Sequence, residues 1–152
     1  MSVALKSLHI LGASLFLGNI IVSAFWKVLA DRTGNYSVIR FATRLVNVTD
    51  TVFTGLGAAL LLATGHLLAR NHGGVLANDW ILWSYVLFGV SGAIWITVLL
   101  PIQFKQAKML RESGTEEVPL EYYRLARLWS IAGALATLFP LPAIYLMVAK
   151  GT

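Results

Sequence analysis

The chain has three histidines and no cysteine, so imidazoles are its strongest candidates for binding a metal or a cofactor. His9 and His66 each lie within a long apolar segment. Burying an ionisable side chain in lipid is costly, so a histidine inside such a segment indicates a function. A b-type haem needs one imidazole nitrogen from each side of the porphyrin plane. The pair His9 and His66 therefore predicts a haem b with two histidine axial ligands.

The overall composition is that of a membrane protein. Of the 152 residues, 57% are hydrophobic and 12% are charged, against roughly 25% charged residues in a soluble domain. The mean hydropathy is +0.72. So few charges cannot cover a water-facing surface, and the apolar residues must face lipid. The absence of cysteine excludes disulfides and thiolate chemistry, and the sequence contains no G-x-S-x-G, H-E-x-x-H or P-loop motif.

Four apolar tracts, 3–26, 51–69, 80–101 and 128–149, are each close to the roughly 20 residues that a membrane-spanning helix needs. They predict an all-α, four-helix transmembrane bundle that forms a single domain over residues 1–152. Pro140 and Pro142 are expected to break the fourth span in its middle. Residues 35–47 are amphipathic, which fits a short interfacial helix or an early start of the second span.

The basic residues predict the orientation of the bundle. Nine of the twelve lie in the two longer loops: Lys27, Arg32, Arg40, Arg44, Lys105, Lys108, Arg111, Arg124 and Arg127. The opposite side has Lys6, Arg70 and Lys150. By the positive-inside rule both termini face outward, to the periplasm, and the basic loops face the cytoplasm. The net charge of +5 is therefore interpreted as a signal of membrane orientation, carried by residues that solvate the loops. We expect the lipid bilayer as a partner, and no nucleic acid.

Two helical faces carry small or polar residues where lipid would favour large apolar ones. On the first span the face consists of His9, Gly12, Ala13, Phe16, Ile20 and Ser23, with Asn19 beside it. On the second span it consists of Gly55, Ala59, Ala63 and His66. Both faces are expected to point into the bundle, either for close helix packing or to leave room for a flat cofactor. Because the two spans are antiparallel, His9 and His66 are expected at similar depth.

Polar residues at the same end of the bundle could complete the site. Lys6, Arg70 and the loop residue His72 could bind haem propionates, or they could be ordinary interfacial residues. Ser84 and Tyr85, like Tyr145 on the fourth span, could donate hydrogen bonds to a bound group or anchor the interface.

Several motifs resemble a family of bacterial integral membrane proteins known as domain of unknown function 2269. The motifs are Leu8-His-Ile-Leu-Gly12, Gly18-Asn19, Phe25-Trp26-Lys27, Ala30-Asp-Arg-Thr-Gly34, Asp50 with Phe53-Thr54, Ala63-Thr-Gly65, Leu99-Leu-Pro-Ile-Gln103 and Phe139-Pro-Leu-Pro142. The resemblance covers nearly the whole chain and implies a multi-pass protein of the bacterial inner membrane.

The spacing of His9 and Gly18 also resembles, more distantly, the copper-resistance D proteins and the membrane protoporphyrinogen oxidase of bacteria. The oxidase resemblance implies that His9 is a haem ligand. The oxidase family has a lysine after the tryptophan that opens its third span, where this chain has Trp80-Ile-Leu-Trp-Ser84. This difference argues against protoporphyrinogen oxidase activity.

The sequence thus favours a haem b protein with an electron-transfer or haem-handling role, acting with a membrane redox partner or a second copy of the chain. Two other classes remain open. One is a transporter of a small molecule or of copper, which would use His9, His66 and His72 for a metal and the proline break as a moving part. The other is an assembly subunit without a ligand, which would use its small-residue faces to dock helices.

Overall fold

The computed structural model describes residues 3–149. They form four helices that are long and apolar enough to cross a membrane: Val3–Arg32, Tyr36–Arg70, Asp79–Glu112 and Leu120–Ala149. The predicted all-α bundle of four spans is confirmed, and within residues 3–149 there is no strand. Each helix is longer than the apolar tract that predicted it. Lys150, one of the residues used for the orientation, lies outside the described residues.

The four long helices divide into seven α-helical elements. They are α1 (Val3–Arg32), α2 (Tyr36–Thr49), α3 (Gly55–Arg70), α4 (Asp79–Ile94), α5 (Leu100–Glu112), α6 (Leu120–Leu138) and α7 (Pro140–Ala149). A π-helical turn, Asp50–Thr54, joins α2 to α3, and a second one, Trp95–Leu99, joins α4 to α5. Such turns insert one extra residue into a helix and are frequent at functional sites.

The amphipathic segment is an early start of the second span, the second of its two predicted alternatives. The side chain of Asn35 caps α2 by accepting a hydrogen bond of 3.1 Å from the backbone N–H of Val38. Ile39 and Val46 are fully buried on one face of α2, whereas Phe41 is exposed on the other. The helix then continues through the π-helical turn into α3.

The predicted break in the fourth span is also present. The α-helix α6 ends at Leu138 and α7 begins at Pro140. Proline has no backbone N–H and its ring clashes with the preceding turn, so the regular helix is interrupted at this point. The side chain of Pro140 is buried.

The bundle has two ends that differ in packing. We call the end with the start of α1 and the loop 71–78 the His9 end, and the opposite one the Lys27 end. Towards the His9 end, α1 packs on α3 and α4 packs on α7, and the rings of Phe16 and Phe88 connect the two pairs at 5.2 Å between centroids. Towards the Lys27 end, α2, α5 and α6 join α1 around a core that includes Val46, Leu99 and Trp129.

Helices α1 and α3 are in contact through their backbones. A Cβ atom added to Gly57 would lie 2.6 Å from the backbone nitrogen of Phe16 and 2.9 Å from the carbonyl oxygen of Gly12. Both glycines are buried. The small residues here serve close helix packing, one of the two predicted alternatives, and no flat cofactor fits between the two backbones at this point.

Candidate functional site

The prediction of which face of the second span points into the bundle is wrong. Ala59, Ala63 and His66 are all exposed, and only Gly55 is partly buried. The face that packs on α1 contains Gly57 and Thr64, which are seven residues and about two turns apart. His66 follows Gly57 by nine residues, about two and a half turns, and therefore lies on the opposite side of α3. The structure does not bring His66 and His9 together as two ligands between α1 and α3.

The other residues predicted near this site are more dispersed. Lys6 and Arg70 are exposed at the His9 end. The Nδ1 atom of His72 lies 3.2 Å from the carbonyl oxygen of Leu68 in its own chain segment, and its ring packs edge-on against Trp80. In the described part of the chain, no group of three histidine or carboxylate side chains is placed to hold a metal ion.

His9 has a partner that orients its ring. The side chain is half-buried, and Nδ1 lies 2.9 Å from the hydroxyl oxygen of Thr64. The Thr64 hydroxyl also donates its single hydrogen to the carbonyl oxygen of Leu60, one turn earlier. It can therefore only accept from His9, so Nδ1 carries the proton. The lone pair is then on Nε2, which is the nitrogen of a neutral imidazole that can bind a metal.

Gly65 and Tyr85 complete the surroundings of this imidazole. A Cβ atom on Gly65 would lie 3.1 Å from Cε1 of His9 and 3.9 Å from the hydroxyl oxygen of Tyr85. The glycine thus makes room for the ring, and α4 contributes the tyrosine. The Tyr85 hydroxyl is buried and has no hydrogen-bond partner in the described structure, which is costly unless a ligand or water supplies one. We call His9, Thr64, Gly65 and Tyr85 the His9 site.

The two other hydrogen-bonding residues predicted for this end are placed differently. The hydroxyl of Ser84 is buried and donates to the carbonyl oxygen of Trp80, at 2.7 Å. Tyr145 is exposed on α7. Of the three residues predicted to donate to a bound group, Tyr85 is the one with a buried and unsatisfied hydroxyl.

A second polar site, which the sequence did not reveal, surrounds Asp50. This side chain is 4% exposed and lies in the π-helical turn between α2 and α3. Its Oδ1 accepts hydrogen bonds from Asn19 Nδ2 at 2.7 Å and from the hydroxyls of Ser23 and Thr54 at 3.4 Å. Its Oδ2 accepts one from Gln103 Nε2 at 2.6 Å. We call these five residues the Asp50 cluster.

All the hydrogen-bond partners of Asp50 are neutral. Within residues 3–149 the ion pairs are Lys27–Asp31 and Lys105–Glu121, neither of which involves Asp50. A signal for the cluster was present in the sequence, since Asn19 and Ser23 are four residues apart on one face of the first span. Asp50, however, lies one residue before the predicted second span, so the sequence does not place it inside the bundle.

Lys27 is buried, although it was predicted to be a solvated loop residue. It is 1% exposed, and Nζ donates to the hydroxyl of Tyr122 at 2.6 Å and to Asp31 at 3.1 Å. The Tyr122 hydroxyl in turn donates to Asp31 at 2.7 Å, and the hydroxyl of Thr43 lies 3.0 Å from it. This Lys27 cluster connects α1, α2 and α6. Lys27 is therefore a structural residue of the bundle as well as a contributor to its charge asymmetry.

The amino-acid sequence of the chain matches a known protein family. A family model described as "Predicted integral membrane protein (DUF2269)" matches residues 3–151. No curated protein and no solved structure matches the chain. The more distant resemblance to copper-resistance D proteins and to the membrane protoporphyrinogen oxidase stays a prediction.

Proposed function

We propose that this chain, which belongs to the DUF2269 family of predicted integral membrane proteins, binds haem b at the His9 site and has an electron-transfer or haem-handling role. The proposal differs from the sequence-based prediction in one respect. His9 is the axial ligand that the chain contributes, and His66 is not its partner within the same chain. The description of the family names no activity, so the proposal depends on the site.

The hydrogen bond between His9 and Thr64 is the observation that carries this proposal. Histidines that bind metals almost always donate their second ring N–H to a neighbouring acceptor, which fixes both the tautomer and the orientation of the ring. Thr64 accepts such a bond from Nδ1 of His9. The Nε2 atom then carries the lone pair and would be the atom that binds iron.

Residues of α1, α3 and α4 surround His9 and would contact a haem bound there. The contact of Gly12 with Gly57 closes the space between α1 and α3, so the group would bind beside that pair. Gly65 makes room for the imidazole itself, and the hydroxyl of Tyr85 beside it has no hydrogen-bond partner in the described structure. Lys6 and Arg70 would bind the propionates from the membrane surface. The haem, when bound, would supply one-electron chemistry.

The location follows from the same proposal. We place the protein in the bacterial inner membrane, with the His9 end towards the periplasm. The support is the concentration of lysine and arginine at the Lys27 end and in its adjoining helix ends. A haem held by His9 would then exchange electrons at the outer face.

An absorption spectrum of the purified protein tests the haem proposal. The full chain is expressed with a haem supply, purified in detergent, and measured in its oxidised and dithionite-reduced forms. We expect a Soret band, and sharp α and β bands on reduction. The His9→Ala variant should lose these bands, and the matched His66→Ala variant should keep them.

Three outcomes would overturn this proposal. The first is a colourless, folded protein that does not take up added haemin. The second is a His9→Ala variant that keeps an unchanged spectrum. The third is a His66→Ala variant that loses the haem, since this would require His66 as a ligand and contradict a site built on His9 alone.

A further inference from the structure

A cleft between α1 and α6 lies apart from the His9 site. Its volume is about 720 Å³, within the range of roughly 300–1,000 Å³ that is typical of small-molecule sites. Gly133 and Ala134 of α6 leave the space open on one side. Ile21 and Phe25 of α1 form the other wall and have exposed side chains. In a membrane these walls face lipid, so a ligand would enter the cleft from the bilayer.

The polar end of this cleft contains a buried carboxyl group without a cationic partner among the described residues. Asp50 and Ser23 line it, and the direct partners of the Asp50 carboxylate are neutral amides and hydroxyls. A buried carboxylate is strongly destabilising unless a positive charge is close. Of the basic residues nearest the cleft, Lys27 is paired with Asp31 and Arg32 is exposed at its rim. An ionised Asp50 would therefore favour a cation inside the cleft.

Two tryptophans contribute to the wall of the cleft. Trp95 and Trp129 both line the cleft, and Trp129 is 4% exposed. The Nε1 atoms of both are buried and have no hydrogen-bond partner in the described structure. The ammonium group of Lys27 lies over the Trp129 ring, 5.7 Å from its centroid. The preference of the cleft for a positive charge therefore depends on Asp50, and the two tryptophans serve as fluorescent reporters of binding.

We propose that the cleft between α1 and α6 binds a lipophilic amine, whose ammonium group pairs with Asp50. The apolar body of the ligand lies along the walls of the cleft. This site is independent of the proposed haem, since it shares no residue with the His9 site. The rival state is a protonated, uncharged Asp50 that has no preference for a cation.

The test compares two ligands that differ in one group, a charged secondary ammonium in one and a neutral ether oxygen in the other. N-Octylethanolamine carries an ammonium group next to a hydroxyl, and ethylene glycol monooctyl ether has an ether oxygen in place of the amine. Binding to the full chain in lipid nanodiscs is followed by the change in tryptophan fluorescence, with empty nanodiscs as the control for partition into lipid. We expect the amine to bind at least about tenfold more tightly than the ether, because only the amine pairs with Asp50.

Two variants locate the binding site. Asp50→Asn should weaken amine binding at least about tenfold and leave ether binding unchanged. The fold should tolerate this variant, because Oε1 of Gln103 is buried without a partner and can accept from the new amide after a rotation. Ser130→Ala is the matched control. Ser130 lines the cleft, but its hydroxyl donates to the carbonyl oxygen of Ala126 in its own helix, at 2.9 Å, so amine binding should change less than about twofold.

The proposal is overturned if the ether binds the wild-type chain as tightly as the amine does, which would identify an apolar cleft beside a neutral Asp50. It is also overturned if Asp50→Asn keeps the affinity for the amine. Should Asp50→Asn fail to fold, Gly133→Phe provides the second variant, since its ring would fill the cleft. Unchanged amine binding in Gly133→Phe would then refute a site in this cleft.

Discussion

Replacing Gly57 by alanine tests the backbone contact between α1 and α3, on which the placement of the His9 site depends. The new Cβ atom would lie 2.6 Å from the backbone nitrogen of Phe16. The two helices must separate by roughly 0.8 Å before this distance reaches that of an ordinary van der Waals contact. A gap of that size forfeits about a quarter to a half of the dispersion energy at each affected contact.

We therefore expect Gly57→Ala to lower the free energy of unfolding by about 1–3 kcal/mol, as overpacking does in other cores. For a chain of this size, a loss of about 2 kcal/mol corresponds to a decrease in Tm of about 4–8 °C. The assay is thermal unfolding in detergent, followed by the fluorescence of the five tryptophans.

Gly18→Ala is the matched control for this substitution. Gly18 also lies inside a long helix, but a Cβ atom at this position would meet nothing within 4 Å. Alanine has a higher helix propensity than glycine, so this variant should be as stable as the wild type or more stable by up to about 1 kcal/mol. A Gly57→Ala variant with a Tm equal to that of Gly18→Ala would refute the close contact of the two helices.

Three further predictions follow from the other contacts. If haem binds at His9, Thr64→Val should weaken haem binding by about 10–100-fold in a haemin titration and Thr64→Ser should keep it, because losing the hydrogen-bond partner of a ligating histidine lowers the affinity by about that factor. Equal affinities in the two variants would show that the hydrogen bond is irrelevant to binding. Lys27→Met should lower the free energy of unfolding by an amount near the lower end of the roughly 3–5 kcal/mol expected for breaking a buried ion pair, because Asp31 is 16% exposed. In thermal unfolding, the double variant with Asp31→Asn should regain part of this loss, and no recovery would argue against an energetic coupling of Lys27 and Asp31. In intact bacterial cells, a membrane-impermeant maleimide should label Asn71→Cys and spare Ser113→Cys, because the positive-inside rule places residue 71 outside and the native chain has no cysteine that could react. The reverse labelling pattern would show that the orientation is inverted.

The sequence was sufficient for features that depend on local composition. Four apolar tracts of membrane-spanning length determine the number of spans, because in lipid a helix satisfies its backbone hydrogen bonds within itself. The break near Pro140 follows from the missing N–H of proline. The inward face of α1 could also be predicted, since Gly12, Phe16 and Ser23 are all buried.

The inward face of α3 could not be chosen from the sequence. Gly55, Ala59 and Ala63 form a small-residue stripe on one side of this helix, whereas Gly57 and Thr64 lie on another. Both sides suit close packing, and only the position of the neighbouring helix selects one of them. The structure selected the side with Gly57, which separates His66 from His9 and leaves a single histidine in the candidate haem site.

The sequence by itself determined that this chain is a four-span membrane protein with few groups capable of chemistry, because composition and helical periodicity are local properties. Only the tertiary structure decided which of those groups act together. Asp50 and Gln103 are 53 residues apart, and Lys27 and Tyr122 are 95 residues apart, yet each pair is hydrogen-bonded inside the bundle. No local pattern encodes such contacts, since they depend on how separate helices are rotated and packed against one another.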